Sequence, residues 1–216
     1  MVASQVAEMT RMQDEVITGI ANLIESRDGS TGLHVKNTQN YVQILTKALR
    51  EKGMYPDILD HNYELNTVKA SVLHDIGKIK TPDAILLKPG RLTDEEFEVM
   101  KQHTVAGCEI IDRIIGNVEH EEYVDIARKI ARYHHERWDG TGYPDGLSGE
   151  EIPLCARIMA LADVFDALYQ DRCYKKAIRP ASKVFEIIKE NSGSQFDPNL
   201  TEIFLELQRE ITDISE

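Results

Sequence analysis

The sequence lacks the features that would place the chain in a membrane or outside the cell. No apolar run approaches the roughly 18 residues that span a bilayer. The first ten residues have neither the basic nor the apolar segment of a secretory signal. Cys108, Cys155 and Cys173 are odd in number and form no CxxC pair, which favours reduced thiols. We therefore expect a soluble, cytoplasmic protein whose metal ligands would not be thiolates.

Basic residues are outnumbered by acidic ones. The chain has 25 lysines and arginines against 37 aspartates and glutamates, and its formal net charge is −12. Binding to a nucleic-acid polymer depends on neutralising many phosphates, so this balance argues against such a partner. The acidity is equally explained by solubility alone. A small anion at a local cationic site stays open.

Strand patterns are missing, whereas helical patterns run through the chain. No stretch alternates cleanly between apolar and polar residues, and apolar residues recur at three- and four-residue spacing in segments such as 124–135 and 155–168. Two amphipathic segments flank a turn at 28–32. We predict one all-α domain over residues 11–216, with residues 1–10 as an N-terminal extension or the remnant of a signalling linker.

Local signals place several helix ends. Residues 93–96 have the form of a capping box, Pro180 suits a first turn, Gly193 suits a stop, and Asp197 before Pro198 suits another start. The longest irregular stretch, 138–153, is rich in glycine, proline and aspartate. A loop of that length in a small domain is more often functional than neutral.

Histidine and aspartate are the residues most suggestive of chemistry. Five of the seven histidines lie in or beside apolar helical segments, where an unpaired ring is costly to bury: His34, His74, His103, His134 and His135. Any one alone is readily explained as a histidine bonded to a backbone carbonyl. Five together favour a shared metal site. Adjacent helical positions point about 100° apart, so the doublets 74–75 and 134–135 suit two neighbouring ions.

Asp163 adds a carboxylate inside the hydrophobic segment 158–165. A lone carboxylate there must be protonated, paired or bound to a metal, and we favour the metal. Imidazole and carboxylate ligands without thiolates suit iron, manganese or zinc. A bridging aspartate would hold two ions roughly 3.5–4 Å apart, an arrangement that cleaves phosphate esters.

Two strings make the pattern specific. HDIGK at 74–78 and HHERWDGTGYP at 134–144 resemble the signature of the HD-GYP subgroup of the HD phosphohydrolases. With His103 between them and Asp163 after them, the resemblance covers about residues 25–198. It implies an HD-domain helical bundle with additional C-terminal helices. It also implies hydrolysis of cyclic di-GMP to pGpG, and in many family members onward to GMP, by a hydroxide that bridges two iron or manganese ions.

The resemblance also implies a role for individual residues. Seven are implied as metal ligands, with Asp75 as the bridge and a catalytic residue: His34, His74, Asp75, His103, His134, His135 and Asp163. Lys78 is implied as a second catalytic residue that neutralises a substrate phosphate. Arg172 and Lys175, in a segment similar to the family's RPYK, are implied to hold phosphate and guanine edges.

Two further residues are weighed as substrate contacts. Tyr143 suits stacking or hydrogen bonding with substrate, or alternatively pinning of its own loop. Asp166 lies one helical turn from Asp163 and within reach of the site. Either Asp166 or a bound water would serve to protonate the leaving group, and we assign neither.

The sequence departs from the family pattern at three positions. Trinuclear members carry a glutamate four residues before the first histidine, where this chain has Ser30, so a third metal is not expected. Asn37 stands where an arginine is frequent, and Cys173 replaces the proline of RPYK. Neither of these last two changes removes a ligand of a two-metal site.

Two rival functions stay open. One is a non-catalytic receptor or adaptor that binds metal or cyclic di-GMP and signals through protein partners, with 138–153 as a contact surface. The other is a phosphohydrolase for another cyclic dinucleotide, because metals recognise phosphate and only the pocket recognises the base. A homodimer, or a fusion to a sensory or receiver domain, is the further association that the family suggests.

Overall fold

The computed structural model describes residues 2–28, 33–116, 121–170 and 177–214. Four positions singled out above lie outside these ranges: Ser30, Arg172, Cys173 and Lys175. The described residues form ten α-helices: α1 (Val2–Glu25), α2 (His34–Glu51), α3 (His61–Ala70), α4 (Asp83–Leu86), α5 (Asp94–Ile115), α6 (Glu121–Tyr133), α7 (Leu154–Tyr169), α8 (Ala181–Glu190), α9 (Pro198–Glu206) and α10 (Gln208–Asp213).

Short 3-10 turns join these helices at Ser26–Asp28, Ser71–Leu73, Ile76–Lys80 and Gly149–Glu151. The described residues contain no β-strand, only one isolated bridge between Ser192 and Phe196. The all-α prediction, with additional C-terminal helices after the core, is confirmed. Helix α1 runs without interruption across residue 10, and the boundary placed there stays a prediction.

Helix α7 forms the centre of the bundle because apolar residues cover almost all of its surface. It packs against α2, α6, α8 and α9. Phe165 in α7 is fully buried, and its ring meets those of Tyr41 at 5.1 Å, Phe185 at 4.9 Å and Phe204 at 5.6 Å. Burying one such side chain contributes about 1.5–3 kcal/mol. The core therefore fixes α7, which carries Asp163.

The predicted helix ends are largely confirmed. Glu96 N donates to Thr93 Oγ1 at 3.3 Å, and Thr93 N donates to Glu96 Oε2 at 2.7 Å, which completes the capping box. Asp197 caps α9 and Pro198 occupies its first turn. Pro180 lies just before α8 rather than in its first turn. Helix α8 ends at Glu190, before Gly193 adopts φ +78° in the following turn.

A glycine allows the turn at 76–80 to touch α5. A Cβ at Gly77 would lie 1.8 Å from the backbone oxygen of His103 and 2.5 Å from the backbone nitrogen of Gly107. No side chain fits such an approach. The contact brings Asp75 and Lys78, on either side of Gly77, against the helix that carries His103.

None of the described helices combines the length and the apolar character needed to cross a membrane.

Candidate metal centre

The seven predicted ligands come from five parts of the fold and lie together. Within the described residues they form two groups, each with its ligand atoms within 4.8 Å of one another. The first ligand group is Asp75, His103, His134 and His135. The second ligand group is His34, His74 and Asp163.

Asp75 joins the two groups through its two carboxylate oxygens. Oδ1 lies 3.3 Å from His103 Nε2 and 3.6 Å from His134 Nε2 in the first group. Oδ2 lies 3.3 Å from His74 Nε2 in the second group. In that second group, His34 Nε2 is 3.4 Å from Asp163 Oδ1. This arrangement would allow the Asp75 carboxylate to bridge two ions, as the resemblance implies.

Four of the histidines are oriented from behind by a hydrogen bond at Nδ1. His74 Nδ1 bonds the Ser71 carbonyl at 2.9 Å, His103 Nδ1 the Met100 carbonyl at 2.7 Å, and His134 Nδ1 the Ile130 carbonyl at 2.9 Å. His34 Nδ1 bonds Asp166 Oδ2 at 2.7 Å. Such contacts fix the tautomer, leaving Nε2 free to bind a metal.

The atoms that face inward are buried and lack hydrogen-bond partners among the described residues: His34 Nε2, His74 Nε2, His103 Nε2, His134 Nε2 and Asp75 Oδ1. A single buried polar atom left without a partner costs about 1–3 kcal/mol. Five of them converging on one place would be an expensive arrangement for a protein with nothing bound there. Divalent ions would satisfy all five, so the residues present fit a metal centre.

The ionisation states suit metal binding at most of these ligands. Burial lowers the pKa of His103 to about 4 and the pKa of His135 well below its usual value, so both rings are neutral. Burial would raise the pKa of Asp75, but Lys78 and His74 outweigh it and hold that pKa well below its usual range. Asp163 is likewise kept ionised, with its pKa lowered by His34 and His74 against the effect of burial.

His74 differs from His103 in this respect. Burial lowers its pKa, but the carboxylates of Asp75 and Asp163 more than compensate and raise it to about 9. In the metal-free protein His74 therefore carries a proton at neutral pH. That proton must leave before its Nε2 can bind a metal.

Lys78 lies beside the second ligand group and contacts two carboxylates. Its Nζ is 2.7 Å from Asp75 Oδ2 and 3.0 Å from Glu25 Oε1. Glu25 is only 2% exposed, and its carboxylate, His34 and Asp75 form a third set of ligand atoms within 4.8 Å of one another. A cationic side chain therefore already lies between Glu25 and Asp75.

Asp166 is placed behind the centre rather than in front of it. Its side chain is 1% exposed; besides His34, it accepts from Asn37 Nδ2 at 3.1 Å and from the Tyr41 hydroxyl at 3.4 Å. Both oxygens are thus engaged. The contacts favour orientation of His34 over the substrate contact weighed from the sequence. Asn37, where the family often has arginine, supports the same carboxylate.

The loop that follows α6 closes over the first ligand group. Glu136 is buried, and its Oε1 accepts from the backbone nitrogens of Asp145 at 2.8 Å and Gly146 at 3.1 Å. A Cβ at Gly142 would meet the Arg137 backbone nitrogen at 2.4 Å, so the loop depends on glycine there. The ring of Tyr143 lies 4.9 Å from that of His135. Tyr143 therefore pins this loop against His135, one of the predicted ligands.

A cavity of about 490 Å³ opens in front of both groups, within the range of roughly 300–1,000 Å³ typical of small-molecule sites. Its described lining includes Asp75, Lys78, Tyr143 and Asp163. The structure also places Lys88 and Gln195 there, which the sequence reasoning missed. Arg172 and Lys175 lie outside the described residues, so their predicted contacts stay predictions.

Glu25 was also missed, although a signal for it exists. It follows Ala21 and Ile24 on the buried face of α1, at four- and one-residue spacing. A glutamate on an apolar face calls for the same explanation as Asp163. Gln195 and Lys88 carry no comparable local signal, because they lie in irregular segments that tertiary packing brings to the cavity.

Comparison with known proteins agrees with the resemblance drawn from the sequence motifs. The sequence profile of the HD domain family matches residues 20–200. A cyclic di-GMP phosphodiesterase of Vibrio cholerae is 44% identical over 96% of this chain and 42% of its own length. A 3′3′-cGAMP-specific phosphodiesterase of the same organism is 36% identical over 92% of this chain and 35% of its own length. The chain thus spans less than half the length of these curated relatives.

A solved structure supports the fold. The crystal structure of a cyclic GMP-AMP specific phosphodiesterase of V. cholerae aligns with a TM-score of 0.60 at 20% identity. The alignment covers 92% of this chain and 52% of the other. At that identity, the likeness concerns the fold alone.

Proposed function

Since this chain belongs to the HD domain family, in its HD-GYP subgroup, we propose that it is a metal-dependent phosphodiesterase that hydrolyses cyclic di-GMP to pGpG or to GMP. One observation carries the proposal. Five buried polar atoms without hydrogen-bond partners converge on two ligand groups that Asp75 joins, and members of both groups line a cavity. That arrangement suits a pair of ions facing a small phosphate diester.

The proposed cofactors are two divalent metal ions, iron or manganese. Ligands from imidazole and carboxylate alone support these metals, and Asp75 offers one oxygen to each ligand group. A third ion is not part of the proposal. The ammonium of Lys78 already lies between Glu25 and Asp75, and Ser30 offers no carboxylate at the position used by trinuclear members.

When bound, two ions would lower the pKa of a water and neutralise charge that develops on phosphorus. The chain's own residues prepare that chemistry. Asp75 holds the two groups in one geometry. Lys78, with a side chain 12% exposed, lies at the cavity beside Asp75 and adds a positive charge next to a substrate phosphate. Burial raises the pKa of Tyr143, so its hydroxyl stays protonated and able to donate a hydrogen bond at the cavity.

Asp166 has a positioning role in this scheme. Its bonds to His34 and Asn37 hold the imidazole with Nε2 toward Asp163. No described residue is assigned as the proton donor to the leaving group, and water remains a candidate for that step. Arg172 and Lys175 keep their proposed roles at phosphate and guanine edges.

A second candidate is hydrolysis of a cyclic dinucleotide that contains adenine. The relative named as 3′3′-cGAMP-specific shares 36% identity with this chain. Because the ligand groups recognise only phosphate, the same centre would serve either substrate.

We further propose a cytoplasmic location, supported by Cys108 and Cys155, which form no disulfide in the described part of the chain. A homodimer, a fusion to a sensory or receiver domain, and the receptor alternative stay predictions.

Anaerobic purification with metal analysis tests the proposal. The parent, His74→Ala and the control Asp57→Ala, an exposed loop position, are incubated with cyclic di-GMP and iron or manganese. We expect about two metals per chain, with pGpG or GMP formed by the parent and the control but not by His74→Ala. Metal binding without turnover under both metals would favour the receptor instead.

A further inference from the structure

The cavity in front of the ligand groups has a chemically mixed lining. It includes the carboxylates, the imidazoles and Lys78 described above, together with Lys88. Much of the remaining lining is apolar: Ile85, Leu86, Leu92, Met100, Val164 and Ala167. Gln195 is the one carboxamide among the described lining residues. Apolar walls with a single amide suit the flat face and polar edge of a nucleobase.

The backbone around Gln195 is fixed by long-range hydrogen bonds. Its carbonyl accepts from Trp138 N at 3.2 Å, and the carbonyl of Ser194 accepts from Asp139 N at 2.8 Å. Two residues later, Asp197 forms an ion pair with Arg157 at 2.6 Å while capping α9. The segment that carries Gln195 is therefore tied both to the loop over the first ligand group and to the core.

The side chain of Gln195, by contrast, is left available. It is half-buried, lines the cavity, and makes no hydrogen bond to another described residue. An amide offers an acceptor and two donors in one plane. A side chain held at the cavity by a fixed backbone, with its polar end unused, is well placed to bind a ligand.

The chemistry of an amide limits which edges it recognises. Adenine presents an amino donor beside a ring-nitrogen acceptor, and guanine presents a carbonyl acceptor beside a ring N–H donor. Glutamine pairs with either edge by turning its amide over. A carboxylate in place of the amide would accept hydrogen bonds from two neighbouring donors of guanine, the ring N–H and the 2-amino group. Against adenine, one carboxylate oxygen would instead face the lone pair of the ring nitrogen.

We propose that Gln195 binds the edge of one purine of the substrate and that its amide admits either guanine or adenine at that position. This inference rests on the proposed hydrolysis of cyclic dinucleotides and adds a residue that determines base preference. It predicts that the preference changes when the side chain can only accept hydrogen bonds.

The test compares Gln195→Glu, Gln195→Leu and the control Gln43→Leu, an exposed glutamine on α2 outside the cavity. Values of kcat/KM and calorimetric Kd are measured for cyclic di-GMP, 3′3′-cGAMP and cyclic di-AMP on metal-loaded protein. Loss of one bidentate contact lowers affinity roughly 5- to 100-fold. We expect Gln195→Leu to weaken all three ligands by that factor.

Gln195→Glu should raise the ratio of cyclic di-GMP to cyclic di-AMP binding about tenfold or more over the parent. A general effect of the new charge on phosphate binding would cancel in this ratio. An unchanged ratio in Gln195→Glu, with the parent active, would overturn the inference and leave the phosphodiesterase intact. Binding of all three ligands without turnover would contradict the proposed activity, and the Kd ratio would still decide the role of Gln195. Absence of binding would overturn both.

Discussion

The ligand groups and the segment that carries Gln195 are positioned in different ways. In the ligand groups, His74, His103 and His134 are each oriented by a backbone carbonyl three or four residues earlier in the chain. Gln195 depends on a backbone contact with Trp138, which is remote in sequence. These three ligands are therefore oriented by local structure, whereas the proposed base-binding residue is placed by tertiary structure.

This difference explains why the sequence predicted the histidine ligands but not Gln195. A histidine oriented by its own helical turn needs only the right residue at the right place, so a short motif is sufficient to find it. The shape of the cavity wall depends on how irregular segments meet. Substitutions can test this difference between the ligand groups and the Gln195 segment, beginning with Asp75, which joins the two groups.

Asp75→Ala should have the largest effect. Removing the carboxylate takes away the two oxygens that face the two groups, so activity on cyclic di-GMP should fall at least roughly 10³-fold, the upper end for a single charge-stabilising group. Metal content should fall below that of the parent. Both are measured by steady-state kinetics and metal analysis, with Asp57→Ala as the control. Full metal content in Asp75→Ala would contradict the bridging role.

Gly77→Ala tests whether the close approach of the turn at 76–80 to α5 holds the ligand groups together. The added Cβ would lie 1.8 Å from the His103 carbonyl oxygen, so the turn must move. We expect a loss of about 3 kcal/mol in the free energy of unfolding, measured by denaturant titration. Gly19→Ala is the matched control: it is helical with nothing within 4 Å of the new Cβ, so it should be neutral or stabilising. Equal effects of the two substitutions would refute the steric explanation.

Asp166→Asn should affect the second ligand group and leave the first unchanged. The amide keeps the size of the side chain but weakens its hold on His34 Nδ1, so metal affinity at the second group should fall roughly 10- to 100-fold. The first group should retain its affinity, which competition with a chelator will measure. If Asp166 instead acted on substrate, the substitution would reduce kcat without changing either metal affinity.

The smallest expected effect is the release of a single proton when metal binds. In the metal-free protein the pKa of His74 is raised to about 9, above its ordinary value, whereas that of His103 is lowered to about 4. At pH 7.5 metal binding should release about one proton at the second group and none from His103. Apparent affinity there should rise with pH up to about 9. Calorimetry in buffers of different ionisation enthalpy measures the release; a pH-independent affinity would contradict it.

Particular residues show how far sequence reasoning reached. The helical fold, the caps at Thr93 and Asp197, and the seven residues of the ligand groups followed from spacing, from cap chemistry and from the resemblance. Asp166 lies on the expected helix turn, but only the structure shows its oxygens occupied by His34, Asn37 and Tyr41. Such assignments depend on which way a side chain points, and that is decided by packing.

Anomalous X-ray scattering from crystals of the manganese-loaded chain will show whether Asp75 bridges two ions. We predict two peaks, roughly 3.5–4 Å apart, one at each ligand group and both in contact with Asp75. A single peak, or two peaks of which only one contacts Asp75, would contradict a centre in which this carboxylate joins two ions.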